Sequence, residues 1–328
     1  MSNIKLVPKY SFSMLEIAPD VARQYIDAVA VFEALEDATR VAAQTRGGMY
    51  WHAGGISNPA EKYLIRTSPS GVEKSLGPRT PKLMAIYEKF IQKKQENTER
   101  VRHLKAALEK QQRLNRAQRV GRVDPLVIQV LNRLTSTQLS EHFLVVGTHA
   151  MYAYEAAAGV RVDSEAVATR DIDLLWDTRK RLMFSTQLAK IDRSMLNVLR
   201  KVHASFRLRS GQKYTAVNQD GFEIDIIRRE QAQDDPHPIK LNAIQAQNDI
   251  EDFWVAQARR AHVLMDGPSY SAVVVATNGA MARMHTVHPK TFVSFKQWMS
   301  KQKDREPLKR RRDALQAQTV ATMIEKYF

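Results

Sequence analysis

Asp171, Asp173 and Asp225 are the residues of this sequence best suited to chemistry. The first two flank Ile172 in Asp171-Ile172-Asp173-Leu174-Leu175-Trp176, and the third lies in Phe222-Glu223-Ile224-Asp225-Ile226-Ile227. Both runs read as strands, along which successive side chains face opposite ways. Asp171 and Asp173 therefore project together, while Ile172 and Leu174 point the other way, into core. Two neighbouring carboxylates repel each other and gain nothing from packing. They make chemical sense around a hard divalent cation, since Mg²⁺ takes carboxylate oxygens and substrate phosphates. If the Asp225 strand adjoins the Asp171 strand, three carboxylates converge. That is the minimum for two ions about 3.5–4 Å apart that clamp attacking and leaving oxygens. Taken alone, Asp-x-Asp on a strand edge is also an ordinary solvated feature.

A second motif lies upstream. Leu144-Val145-Val146-Gly147-Thr148-His149-Ala150 is an apolar strand, a glycine, a hydroxyl residue and the start of a helix. Glycine lets the backbone approach a phosphate, and a helix start offers free N–H groups and a positive dipole end. A plain strand–helix turn with Thr148 as N-cap fits the same residues. The turn follows neither GxxxxGK[ST] nor GxGxxG, which argues against P-loop and Rossmann readings.

Together, the Gly–hydroxyl turn, the Asp-x-Asp strand and the later Asp resemble the DNA polymerase β-like nucleotidyltransferase superfamily. The phrase Ala168-Thr169-Arg170-Asp171-Ile172-Asp173 is similar to its bacterial branches related to abortive-infection nucleotidyltransferase toxins. Gly147 through Glu155, Ser75-Leu76-Gly77-Pro78-Arg79 and Lys309-Arg310-Arg311-Arg312-Asp313 resemble an uncharacterised bacterial group of that fold. The resemblance implies that Asp171 and Asp173 bind two Mg²⁺ ions (or Mn²⁺) and that Asp225 joins the catalytic one. Gly147 and Thr148 would hold the outgoing phosphates. Lys296, on the helix after Pro289, would face the nucleotide phosphates, and Asp313 would hold a basic partner. An ordinary amphipathic helix with a solvated Lys296 fits that segment equally well. The implied reaction moves a nucleoside monophosphate from a nucleoside triphosphate, such as ATP, to a hydroxyl acceptor and releases pyrophosphate.

The elements that must position these residues follow from pattern and punctuation. Residues 14–46 carry apolar positions at helical spacing up to Gly47-Gly48. Met49–His52 and Lys62–Arg66 read as a hairpin, and residues 81–118 as a long polar helix. Gly121-Arg122-Val123-Asp124-Pro125 marks a boundary. Beyond it come a helix over Leu126–Leu134, a strand over His142–Val146, a small-residue helix over Ala150–Ala158 and the Asp171–Trp176 strand. Tyr214–Val217 and Phe222–Ile227 flank Asp220-Gly221, a strong hairpin signal. The tail from about Gln245 reads as mostly helical, with one β-like run at Ser271–Ala276. The expected class is α+β: a mixed nucleotidyltransferase sheet between an N-terminal helical and hairpin region and a C-terminal helical region. The expected divisions are 1–122, 123–240 and 241–328.

Composition fixes the setting. The 328 residues are 44% hydrophobic and 26% charged, as in ordinary globular chains, and hold no cysteine. Disulfide scaffolds, thiolate metal sites and cysteine nucleophiles are thereby excluded. No signal peptide or membrane-length apolar run is evident, which fits a cytoplasmic protein without a membrane partner. The net charge of +15 favours a polyanion such as RNA, with tRNA the natural first candidate acceptor. Thirteen Lys/Arg against four Glu between Arg79 and Arg122 give a net +9, and Lys296 to Arg312 carries a net +6. The long helix reads as a spacer laced by pairs such as Glu96–Arg100 and Glu109–Arg113, or else as a basic arm for nucleic acid.

Other signals carry less. His285 and His288 have no carboxylate at ligand spacing, Asp234-Asp235 with His237 reads as a solvated turn, and Tyr50, Trp51, Tyr63 and Arg66 could stack on bases or simply pack a small sheet. Two rivals to an RNA-modifying enzyme share the fold. One is a catalytically silent nucleic-acid-binding or toxin–antitoxin protein; the other modifies a small molecule or a protein.

Overall fold

The computed structural model describes residues 13–53, 61–167, 169–232, 239–241 and 251–328. The chain divides into two compact units, Arg23–Gln118 and Met1–Ala22 with Arg119–Phe328. In chain order the elements begin with β1 (Met14–Glu16), α1 (Pro19–Ala43), β2 (Gly48–Ala53), β3 (Lys62–Thr67), β4 (Glu73–Pro78) and α2 (Pro81–Ala117). The helix expected from residue 14 thus starts only at Pro19, whose fixed φ suits a first turn. The residues before it form a strand antiparallel to Val160–Val162 instead.

In the smaller unit, β2, β3 and β4 form an antiparallel sheet in that order. The aromatic hairpin is engaged internally. Trp51 packs on Tyr87 at 5.8 Å, Arg79 lies over Trp51, and Arg66 lies 4.4 Å from the Phe90 ring centre. Tyr50 and Tyr63 donate hydrogen bonds to Glu73 and Glu61. Helix α2 starts on Thr80, whose hydroxyl accepts from Leu83 N–H, with Pro81 following. Neither expected ion pair closes along α2. Glu96 accepts from Gln92 one turn back, as Glu99 does from Gln95.

The larger unit continues with α3 (Pro125–Ser136), β5 (Phe143–Val146), α4 (Ala150–Ala158), β6 (Val160–Val162), α5 (Ser164–Val167), β7 (Asp171–Trp176), α6 (Arg181–Ile191) and α7 (Met195–Arg200). Then come β8 (Arg207–Arg209), β9 (Gln212–Val217), β10 (Glu223–Arg229), β11 (Ala256–Ala258), α8 (Ala261–Asp266), β12 (Ser269–Val275), β13 (Met281–Val287), α9 (Pro289–Ser300) and α10 (Pro307–Tyr327). Its mixed sheet has the order β12-β13-β5-β7-β10-β9-β8, with β11 beside β10. The class is α+β. Ile172, Leu174 and Trp176 from β7 join Ile224 and Ile226 from β10 in one buried cluster. At roughly 1.5–3 kcal/mol per buried side chain, that packing fixes which face β7 turns outward.

Strand β13 was not expected. Its pattern Met-Ala-Arg-Met-His-Thr-Val shows no clean alternation because five of its seven residues are buried. The available signal was the turn Asn278-Gly279, where Gly279 takes φ +86° and joins β12 to β13. Among the described residues no helix is long and apolar enough to cross a membrane. Asp234, Asp235 and His237 lie outside the described residues.

Candidate active site

Register assembles the site. Strand β10 runs parallel to β7 with Glu223 opposite Asp171 and Asp225 opposite Asp173. Paired residues of adjacent strands project to the same side, so alternation on both strands delivers four carboxylates to one face. Oxygens of Asp171, Asp173 and Asp225 lie within 4.8 Å of one another. Glu223 is engaged elsewhere, its carboxylate accepting a hydrogen bond from Arg209. The Thr169 hydroxyl donates to Asp171, and the Thr215 hydroxyl donates to Asp225. Among the described residues this is the one cluster of three or more potential metal ligands of these types. His288 instead caps α9, its Nδ1 accepting from Lys290 N–H.

Charges at such distances repel by roughly 3 kcal/mol per ionised pair at an effective dielectric of about 20. The effect is visible in the carboxyls. Burial, followed by the Asp171 and Asp225 charges, pushes Asp173 up to about 7 against the pull of Lys296 and Arg305. Asp225 is raised too, chiefly by burial, with Asp171 and Glu223 adding to it and the Thr215 hydrogen bond opposing. All three groups offer hard oxygen donors. That set suits Mg²⁺ or Mn²⁺ and lacks the nitrogen and sulfur ligands a softer metal prefers. The adjacent His149 is buried, which lowers it to about 4 and keeps it neutral.

Gly147 and Thr148 adjoin this face. Val146 pairs with Asp173 across β5 and β7, so the turn begins where the carboxylates stand. Gly147 takes φ +68°, and a Cβ there would lie 2.2 Å from Asp173 Oδ2. Glycine is thus required both by conformation and by the carboxylate's proximity. Thr148 does not cap the helix. The N-cap position is His149, and the Thr148 hydroxyl faces Gln316 Nε2 at 3.2 Å.

Lys296 is buried rather than solvated. Its Nζ donates to Asp313 Oδ1 at 2.7 Å, while Arg305 Nε donates to the other oxygen of Asp313. Burial lowers the Lys296 pKa, partly offset by Asp313. A cavity of about 350 Å³ is bounded by the three aspartates, Gly147, Thr148 and Lys296, with Arg305, Lys309 and Arg312 completing its basic side. Every site residue read from the sequence therefore borders one cavity.

A cavity lined by both carboxylates and basic side chains suits a polyanionic substrate whose charge is balanced by cations. The comparisons with known proteins agree. A family model described as nucleotidyltransferase matches residues 126–328, well over half the chain. The chain belongs to the nucleotidyltransferase family. Searches of curated proteins and of solved structures found no match. The family match covers every residue of the cavity and begins just after the N-cap of α3. Family membership makes the protein a transferase, with nucleoside triphosphates as the substrate class.

Sequence reading did not single out five residues of this nucleotidyltransferase's cavity: Thr169, Arg305, Lys309, Arg312 and Gln316. Arg305 stood only within a basic cluster, Lys309 and Arg312 stood there and in a phrase that carries the resemblance, and Gln316 was passed over. For the three on α10 the signal was periodicity: 309, 312 and 316, with Asp313, recur at three- and four-residue steps on one face of that helix. Thr169, which donates to Asp171, stood only in the phrase over residues 168–173 that carries the resemblance, and Thr215, which donates to Asp225, carried no signal beyond being a hydroxyl residue near a carboxylate.

Proposed function

We propose that this nucleotidyltransferase transfers a nucleoside monophosphate from a nucleoside triphosphate to a hydroxyl acceptor, releasing pyrophosphate. The observation that carries the reading is the convergence of Asp171, Asp173 and Asp225 within 4.8 Å in a cavity also lined by Lys296, Arg305, Lys309 and Arg312. Asp171 and Asp173 would hold two divalent ions between them, and Asp225 would complete the shell on the acceptor side. Bound Mg²⁺, or Mn²⁺ in its place, supplies charge neutralisation at the α-phosphate and makes a hydroxyl a better nucleophile near neutral pH.

The remaining work falls to side chains and backbone. The Gly147-Thr148 turn would seat the outgoing phosphates, with the close approach that a glycine allows. Lys296 spends one of its three donors on Asp313 and has two left for phosphate oxygens. Arg305 and Asp313 keep that lysine in place. The bond formed joins the acceptor oxygen to the α-phosphorus; the bonds broken are the acceptor O–H, whose proton passes to solvent, and the bridge to the β-phosphate, whose oxygen leaves with pyrophosphate. Catalysis of this kind is positioning plus electrostatic stabilisation.

The net charge of +15 favours RNA as acceptor over a small molecule or an acid-neutral protein surface. The test offers each α-labelled triphosphate with Mg²⁺, alongside cell RNA, protein and small-molecule fractions, to wild type and Asp171→Asn. The proposal expects label in RNA with wild type only. Label in another fraction reassigns the acceptor. No label from folded protein refutes nucleotidyl transfer and leaves a binding module.

A further inference from the structure

Beside the polar cavity lies a second one of about 480 Å³ with a different lining. The two share Gly147, Asp173, Lys296 and Arg305, so they meet along one line of residues. Ile227, two residues beyond Asp225 on the same face of β10, belongs to the second cavity, as do Phe292, Phe295, Trp298 and Met299 from α9. Phe295 and Trp298 are only partly buried, and their ring centres lie 5.8 Å apart with planes tilted by 40°. Arg259 and Arg260 lie over the indole at 5.8 and 5.0 Å, and Arg259 is itself held by Asp304.

We infer that this apolar compartment receives the base of the donor nucleotide. The inference rests on the nucleotidyl-transfer reading and adds where the base lies and which side chains hold it. A nucleoside triphosphate is one molecule with a strongly anionic end and a flat aromatic end, and the paired compartments match those ends. The volume lies in the range of small-ligand sites, which are mostly apolar with a few polar groups. The compartment borders Asp173 but neither Asp171 nor Asp225. It also shares Gly147 and Lys296, the residues read as holding the donor's phosphates, which assigns it to the donor. Stacking on Phe295 and Trp298 uses the π-face that every base has, so these residues favour nucleotides over bare polyphosphate without demanding one base.

The test measures equilibrium binding of an α,β-methylene ATP analogue and of inorganic tripolyphosphate, each with Mg²⁺, by calorimetry. Wild type, Trp298→Ala, Trp298→Phe and Phe295→Ala are compared. Loss of one stacking partner should weaken analogue binding about ten-fold, leave tripolyphosphate binding unchanged and be largely rescued in Trp298→Phe. Unchanged tripolyphosphate affinity also shows that the variant is folded. Analogue binding that survives Trp298→Ala, or falls in step with tripolyphosphate, overturns the assignment. If the same substitution raises only the KM of the acceptor, the compartment belongs to the acceptor and the inference is wrong. Wild type that binds neither ligand overturns the nucleotide reading and the base compartment with it.

Discussion

Replacing Asp173 by Asn should stabilise the metal-free protein while abolishing transfer. Asp173 stands between two other carboxylates, and burial with their charges raises its carboxyl from 3.8 to about 7. The folded protein thus holds a proton that the unfolded chain gives up, so stability falls as pH rises from about 4 to about 7 and levels off above. Three pH decades at about 1.4 kcal/mol each set a ceiling of about 4 kcal/mol on the cost of the ionised side chain. Asn keeps the shape and discards the charge. Relative to wild type in EDTA, Asp173→Asn should gain little at pH 4 and 1–4 kcal/mol at pH 8, or roughly 2–4 °C of melting temperature per kcal/mol. The assay is urea and thermal unfolding of both proteins across that range, with and without Mg²⁺. Mg²⁺ should raise the melting temperature of wild type at pH 8 and barely move the variant. A stability difference that does not grow between pH 4 and pH 7 would refute the reasoning, as would equal Mg²⁺ stabilisation of the two.

Other outcomes follow from particular contacts. Gly147→Ala forces a Cβ to within 2.2 Å of Asp173 Oδ2 at a left-handed φ; turnover should fall about a hundred-fold or more, with a stability loss of roughly 1–2 kcal/mol, read by kinetics and melting. Lys296→Met leaves Asp313, 2% exposed, with Arg305 alone, and should cost about 3–5 kcal/mol in urea unfolding, part of which Lys296→Met/Asp313→Leu recovers. Lys82, Lys89, Lys93 and Arg100 are exposed and share one stripe of α2. If the acceptor is RNA, changing all four to Gln should weaken RNA binding and flatten its salt dependence by up to about 0.7 in slope per lost contact, measured in a salt titration.

The site was legible where covalent geometry dictates pattern. Alternation alone placed Asp171 with Asp173, and the observed strand runs Asp171–Trp176 as read. The convergence with Asp225 depended on a neighbour relation that no local pattern encodes, namely β10 pairing in parallel with β7 rather than elsewhere in the sheet. Glu223 shows why position on a face is not enough: it projects with the aspartates yet is claimed by Arg209 from β8. Strand β4 was invisible because its residues are mostly exposed and it exists through pairing with β3. Helix α2 was legible in extent, from Thr80-Pro81 onward, but not in its pairing. Glu96 takes its amide partner Gln92 from one turn back, not Arg100 one turn on.

The most direct test of the central claim follows two labels from one donor. ATP, or whichever triphosphate proves active, is supplied in parallel with the label at the α- or the γ-phosphate, to wild type and to Asp171→Asn. The account predicts α-label in the acceptor and γ-label in pyrophosphate for wild type, and neither for the variant. Label from the γ-phosphate in the acceptor, or α-label transferred equally by Asp171→Asn, would contradict it.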